Sequence, residues 1–340
     1  MNFHMHLLPT YRPGEDPPFS TYLQNVIETV VLAEELGWEG FWFTEHHFLP
    51  YGGPVPNPAI MMAAAAARTS TIRLGCGISI LPLHHPVQTA EDYAMVDAIS
   101  GGRLEFGIGT GNTQLDYDIY GIDREERRDR FAESFAIIIN AWTKERFSHN
   151  GKFWQFPEFS VYPQPAQQPH PPLWVAGTAP DSLRWAGENG FNVMTVSHPV
   201  DGERVRGSVA AWREGLRSAG HDPANFRHKT NLRVWVDTDG ERARAEAERG
   251  IARYDELSNV GRTSRIGDEL PDGSYDWAGM LAQARNIYGT PEDCIRLLRI
   301  AQAAYDFDIC STTFNFGGAP HAEVLRAMRL FAKEVMPALR

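Results

Sequence analysis

Histidine carries the first chemical signal in this 340-residue chain. It occurs as His4-x-His6 near the start, then in Glu45-His46-His47, His84-His85 and Ser197-His198. With a side-chain pKa of about 6.5, each imidazole can act as base, acid, hydrogen-bond donor or metal ligand near neutral pH. Three consecutive strongly polar residues at 45–47, closing an apolar run, have no packing rationale, and they single out His46. Taken one at a time, His4, His84 and His85 read as hydrogen-bonded structural residues. A metal-dependent hydrolase would need ligands beyond His4-x-His6. The later positions offer Ala176-Gly177-Thr178, Gly109-Thr110-Gly111 and Asp308, an incomplete set, so no metal site is expected.

Glycine gives the second signal, at Gly75 and Gly77, at Gly107, Gly109 and Gly111, and at Gly177. Glycine inside a β-run weakens the strand and marks the approach of a flat ligand or another backbone. A slot for a planar cofactor is the expectation. Thr178-Ala179-Pro180-Asp181-Ser182 then places hydroxyls and free backbone N–H groups at a helix start, a setting suited to a phosphate. The run Gly107 to Asn112 lacks the third glycine of a dinucleotide fingerprint, so no dedicated nicotinamide-binding unit is indicated.

Short apolar runs alternating with amphipathic stretches must position these residues. Strands are expected at Phe3 to Leu8, Gly40 to Glu45, Arg73 to Leu81, Arg103 to Gly109, Leu173 to Ala176, Asn192 to Val196, Thr230 to Val236 and Asp308 to Phe314, with helices between them. Asn57-Pro58 reads as a helix cap followed by a proline in the first turn. Asn150-Gly151 between aromatic runs predicts an inserted β-hairpin at about 146–157, and the polar, glycine-rich stretch 258–289 reads as a mobile lid. Eight β-α units indicate one α/β domain, a (β/α)8 TIM barrel over residues 1–340. Chemistry then belongs at the C-terminal ends of the strands, where the histidines and glycines fall.

Composition narrows the partners. Lys and Arg number 32 against 43 Asp and Glu, a net charge of −11 that repels nucleic-acid backbones and anionic membranes. Cys76, Cys294 and Cys310 show no metal or disulfide spacing, and the N-terminus has no targeting pattern. A cytoplasmic protein with reduced thiols is expected.

Several blocks in order along the chain resemble the bacterial luciferase-like flavin-dependent monooxygenases. They are FWFTEHHF (41–48), Asn57-Pro58, RLGCGISILPLHHPV (73–87), GGRLEFGIGTGN (101–112), YGTPEDCI (288–295) and the closing LFAKEVMPAL. The resemblance implies an enzyme that takes reduced FMN as a cosubstrate, forms a 4a-hydroperoxyflavin with O2 and oxygenates a small organic substrate. A separate NAD(P)H:flavin reductase is implied as partner, and a homodimer as the assembly. His46 matches the family's catalytic histidine and Glu45 stands beside it, orienting the flavin or the substrate. Gly77 and Ile78 fall where the family places a non-prolyl cis peptide against the flavin ring. Thr110 and Asn112 match cofactor-contacting positions, as does Ser197, while Gly177, Thr178 and Ser182 match the phosphate side. Luciferase itself has an arginine at Thr110, a reactive cysteine at Gly109 and a phenylalanine at His6. These departures imply phosphate binding through hydroxyls, backbone amides or another cation, no light emission, and either a more polar substrate or a second proton-transfer group at His6. Relatives of the same fold suggest two alternatives: hydride transfer with a deazaflavin coenzyme, or flavin binding without catalysis.

Overall fold

The computed structural model describes residues 1–12, 14–196, 202–262 and 286–340. Period-2 alternation in each apolar run gives strands with one face toward the helices and one toward the lumen. Phe3, Met5 and Leu7 of β1 (Asn2–Leu7) pack outward, with Phe41 and Phe43 of β2 (Gly40–Phe43), in the layer between sheet and helices. The alternate positions His4 and Trp42 meet inside, where the indole N–H donates to His4 Nδ1 at 2.9 Å.

The remaining lumen strands are β3 (Arg73–Ile80), β4 (Leu104–Gly109), β7 (Leu173–Ala176), β8 (Asn192–Val196), β9 (His228–Val236) and β11 (Ile309–Thr313). Every neighbouring pair is parallel, and β9 pairs with both β8 and β11, which closes eight strands into the expected (β/α)8 barrel. The hairpin also forms, as antiparallel β5 (Phe147–Asn150) and β6 (Gln155–Phe159). Its turn is held by Glu133, whose carboxylate accepts the backbone N–H groups of Lys152, Phe153 and Trp154. Asn57 caps its helix, its side chain accepting the Ile60 N–H at 3.3 Å, with Pro58 in the first turn.

Two features depart from expectation. A short helix, Gln114–Tyr120, follows β4 before the anticipated helix Arg127–Thr143. The stretch read as a lid at 258–289 is regular at both ends: helix Gly240–Arg262 runs into it, and β10 (Asn286–Gly289) leaves it by pairing with the C-terminal half of β9. Asn286 to Gly289 are all buried, and these four residues pair in parallel with Arg233 to Val236. Residues 263–285 of that stretch, and Ser197 with His198, lie outside the described residues. Among the described residues no helix is long and apolar enough to cross a membrane.

Candidate active site

The C-terminal ends of β1, β2, β3, β7, β8 and β9 surround a cavity of about 360 Å³. Among the residues selected from sequence, His6, His46, Gly77, Gly177 and Thr178 line it. His6 is the last lumen-facing residue of β1 and is 7% exposed, with Nδ1 buried and lacking a hydrogen-bond partner. Burial, together with the charges of Lys229 and His46, holds its pKa well below 6.5, so it faces the cavity as a neutral imidazole. His46 lies just past β2, its ring tilted against Tyr51 at 5.5 Å between centroids. Gly52, at φ +79°, turns the loop tightly over it: a Cβ there would sit 2.5 Å from the His46 ring.

Glu45 points the other way. Its carboxylate accepts the Ile80 N–H at 3.1 Å and pairs with His84 Nε2 at 2.7 Å and His47 Nε2 at 3.1 Å, and it is not part of the cavity wall. Burial opposes its ionisation, but hydrogen bonds and charge from His47 and His84 outweigh that and hold its pKa below the ordinary carboxylate value. Burial likewise opposes protonation of His84, and the bond and charge of Glu45 outweigh it, so the His84 pKa is raised. The network ties the strand-two terminus carrying His46 to the end of β3. Among the described residues, Glu45, His47 and His84 are also the one group whose ligand atoms, within 4.8 Å of each other, could hold a metal. Their mutual bonds already satisfy the carboxylate, and His4-x-His6 takes no part.

The other sequence-selected residues scatter around the rim. The Gly77–Ile78 peptide is cis, and the Ile78 side chain packs between two lumen clusters rather than lining the cavity. Thr110 is half-buried, its carbonyl accepting the Tyr117 hydroxyl, and Asn112 is exposed. Ser182 is exposed on the first turn of helix Pro180–Glu188. The glycine slot must be corrected. A Cβ at Gly75 would strike the Trp42 ring, one at Gly107 the Cys76 carbonyl, and one at Gly109 the Ile78 side chain. These glycines admit the protein's own atoms, because the barrel interior must pack large rings against neighbouring strands. Only Gly77 and Gly177 of the set open on the cavity.

Four functional residues escaped the sequence reading: Tyr51, Lys229, Arg233 and Tyr254 all line the cavity. Lys229, Asn231 and Arg233 alternate with Leu232 and Val234 along β9, and that polar-in, apolar-out pattern was the available signal. Beneath the cavity the Lys229 ammonium lies 3.6 Å from the centre of the Trp42 ring. Burial drives its pKa well below 10.5, partly offset by Glu105. Among the described residues no aspartate or glutamate lines the cavity.

A closed parallel barrel with a histidine-bearing pocket at its C-terminal mouth is the frame of a TIM-barrel enzyme. The chain matches the description of luciferase-like monooxygenases over residues 1–306 and belongs to that family. It is 38% identical over 183 residues to the oxygenase component of the flavin-dependent trigonelline monooxygenase of Acinetobacter baylyi, covering 53% of this chain and 50% of that one. It is 25% identical to the alkanal monooxygenase alpha chain of the Kryptophanaron alfredi symbiont over 100% and 99% of the two chains. The solved structure of monooxygenase RslO1 from Streptomyces bottropensis superposes with a TM-score of 0.91 at 29% identity, covering all of both chains. The chain spans about half the length of the curated relatives it matches at 33 to 38% identity.

Proposed function

We propose that this protein is the oxygenase component of a two-component flavin-dependent monooxygenase, an oxidoreductase that uses reduced FMN and O2 to oxygenate a small organic substrate. A separate NAD(P)H:flavin reductase would supply the reduced flavin. The observation that carries this reading is the cavity itself, lined by His6 and His46 and by the glycines Gly77 and Gly177. The names of the relatives support it.

The residues fit such a cofactor. A cavity of about 360 Å³ lies within the range of roughly 300–1,000 Å³ that ligand sites occupy. Gly77 leaves a gap beside His6, where a Cβ would come within 3.3 Å of that ring, and a lining with no carboxylate among the described residues would spare an electron-rich ring from repulsion. Thr178 and Ser182, with the first-turn amides of helix Pro180–Glu188, would hold the phosphate through hydroxyls and the helix dipole. FMN, when bound and reduced, supplies the electrons that activate O2. His46 would hold or deliver a proton at its imidazole beside the reacting oxygen, within a loop fixed by Gly52 and by the Glu45 network. His6, kept neutral, would accept or donate one hydrogen bond to the substrate.

Rapid mixing of the protein and reduced FMN with oxygen tests this. The expected result is an absorbance change that persists well beyond the reoxidation time of free flavin before oxidised FMN appears. Reoxidation at the rate of free flavin, with tighter binding of a deazaflavin, would reassign the cavity to hydride transfer.

A further inference from the structure

We infer that Arg233 forms an anion subsite in the cavity wall, and that the molecule seated opposite His46 is a carboxylate. The inference rests on the monooxygenase reading only in calling that molecule the substrate.

Arg233 is 8% exposed and lines the cavity, yet no carboxylate among the described residues forms an ion pair with it, and its buried Nη1 has no hydrogen-bond partner. A guanidinium stays charged at any physiological pH. Burying one unpaired is costly, so natural interiors pair such charges. The contact it does make is with the Tyr254 ring, 3.9 Å from the guanidinium carbon to the ring centre. That stacking orients the planar fork without using its N–H groups. The fork matches a carboxylate or a phosphate through two parallel bonds.

Two sources could supply the anion, the cofactor phosphate or a substrate carboxylate, and position favours the second. Tyr254 meets Tyr51 with hydroxyls 3.0 Å apart, and Tyr51 in turn packs against His46. Arg233 is thus joined to the His46 side of the cavity by a continuous wall of tyrosines. Thr178 lies beyond β8, on the far side of that strand from β9. A ligand anchored by its carboxylate on Arg233 would lie along the tyrosine wall with its body toward His46.

The test is calorimetric titration of the full-length protein with benzoate and with its neutral isostere benzamide. Wild type is expected to prefer benzoate by about tenfold or more, the worth of one charge-assisted pair. Arg233→Met should abolish the preference and Arg233→Lys should retain part of it, with circular dichroism confirming that each variant is folded. The ratio of FMN to riboflavin affinity should be the same in wild type and Arg233→Met. Equal binding of benzoate and benzamide by wild type, which needs no variant, would overturn the proposal. So would an FMN affinity that falls in Arg233→Met while riboflavin is unaffected, since the guanidinium would then serve the cofactor phosphate. Because these are binding measurements, they stand or fall separately from the oxygen-mixing experiment.

Discussion

Replacing Glu45 by Gln keeps the shape of a buried side chain and removes its charge, which makes the substitution a direct probe of the network behind His46. The carboxylate takes three bonds, from Ile80 N–H, His47 and His84. Hydrogen bonds to a charged group contribute about 1.5–3 kcal/mol each, against about 1 for neutral ones. His47 and His84 share Oε1 and the Ile80 N–H takes Oε2, so Gln, with one acceptor oxygen, must give up the Ile80 bond and weaken both histidine bonds or the reverse, an expected destabilisation of about 2–4 kcal/mol. The sign of the pH dependence follows from His84. Its folded pKa is raised, so protonation stabilises the wild type fully below the unfolded value of about 6.5, and that contribution is lost as pH rises through the folded pKa. The depressed pKa of Glu45 acts at the other end, its contribution present above about 4.3 and lost as pH falls through the folded value. Urea unfolding followed by tryptophan fluorescence, with a common slope for the two proteins, should therefore show the largest gap near pH 6 and a smaller gap at pH 9. A gap below about 0.5 kcal/mol at pH 6, or one that widens toward pH 9, would refute a charged Glu45–His84 pair.

Three further substitutions test other parts of the site. His46→Ala should leave flavin binding near wild type while diverting reducing equivalents to H2O2 and lowering oxygenation by about 10²–10⁴-fold; unchanged coupling of flavin oxidation to product would count against the proton role. Gly52→Ala forces a side chain into both a left-handed backbone and the His46 ring; it should cost at least about 1 kcal/mol and reproduce part of the uncoupling, as a peroxide assay would show. Thr178→Val with Ser182→Ala should weaken FMN by about tenfold and leave riboflavin unchanged in fluorescence titrations; equal loss of both would move the phosphate elsewhere.

The barrel was legible because burial on both sides of a parallel sheet writes itself into short apolar runs at regular intervals, and each of the eight barrel strands expected from sequence lies within the closed sheet. His46 was legible for a similar reason, since polar residues at a strand terminus cannot be explained by packing. Direction was not legible. Glu45 and His46 are adjacent, yet one side chain enters the network with His84 and the other lines the cavity. The strand glycines misled because absence of a side chain marks close approach without naming what approaches. Gly75 admits Trp42 and Gly109 admits Ile78, partners that are distant in sequence and set by register.

Charge shows the same gap between whole and local reading. A net −11 predicts repulsion of anions, yet among the described residues the cavity wall carries Lys229 and Arg233 and no acidic residue. Surface charges are screened over about 8–10 Å at physiological salt, whereas groups in a low-dielectric pocket are screened much less. The acidic surface therefore has little influence on what enters the cavity once a ligand is near its mouth. The residues within it decide, and β9 arranges them at every second position. Lys229 lies deep over Trp42, where burial favours its neutral form. Arg233, four residues nearer the mouth, carries a guanidinium, a group that stays charged in proteins, and its buried Nη1 has no partner among the described residues. The strand thus grades the cavity from a weak base at its floor to a fixed cation at its entrance, an order suited to a ligand that enters body first and is held by its charged end.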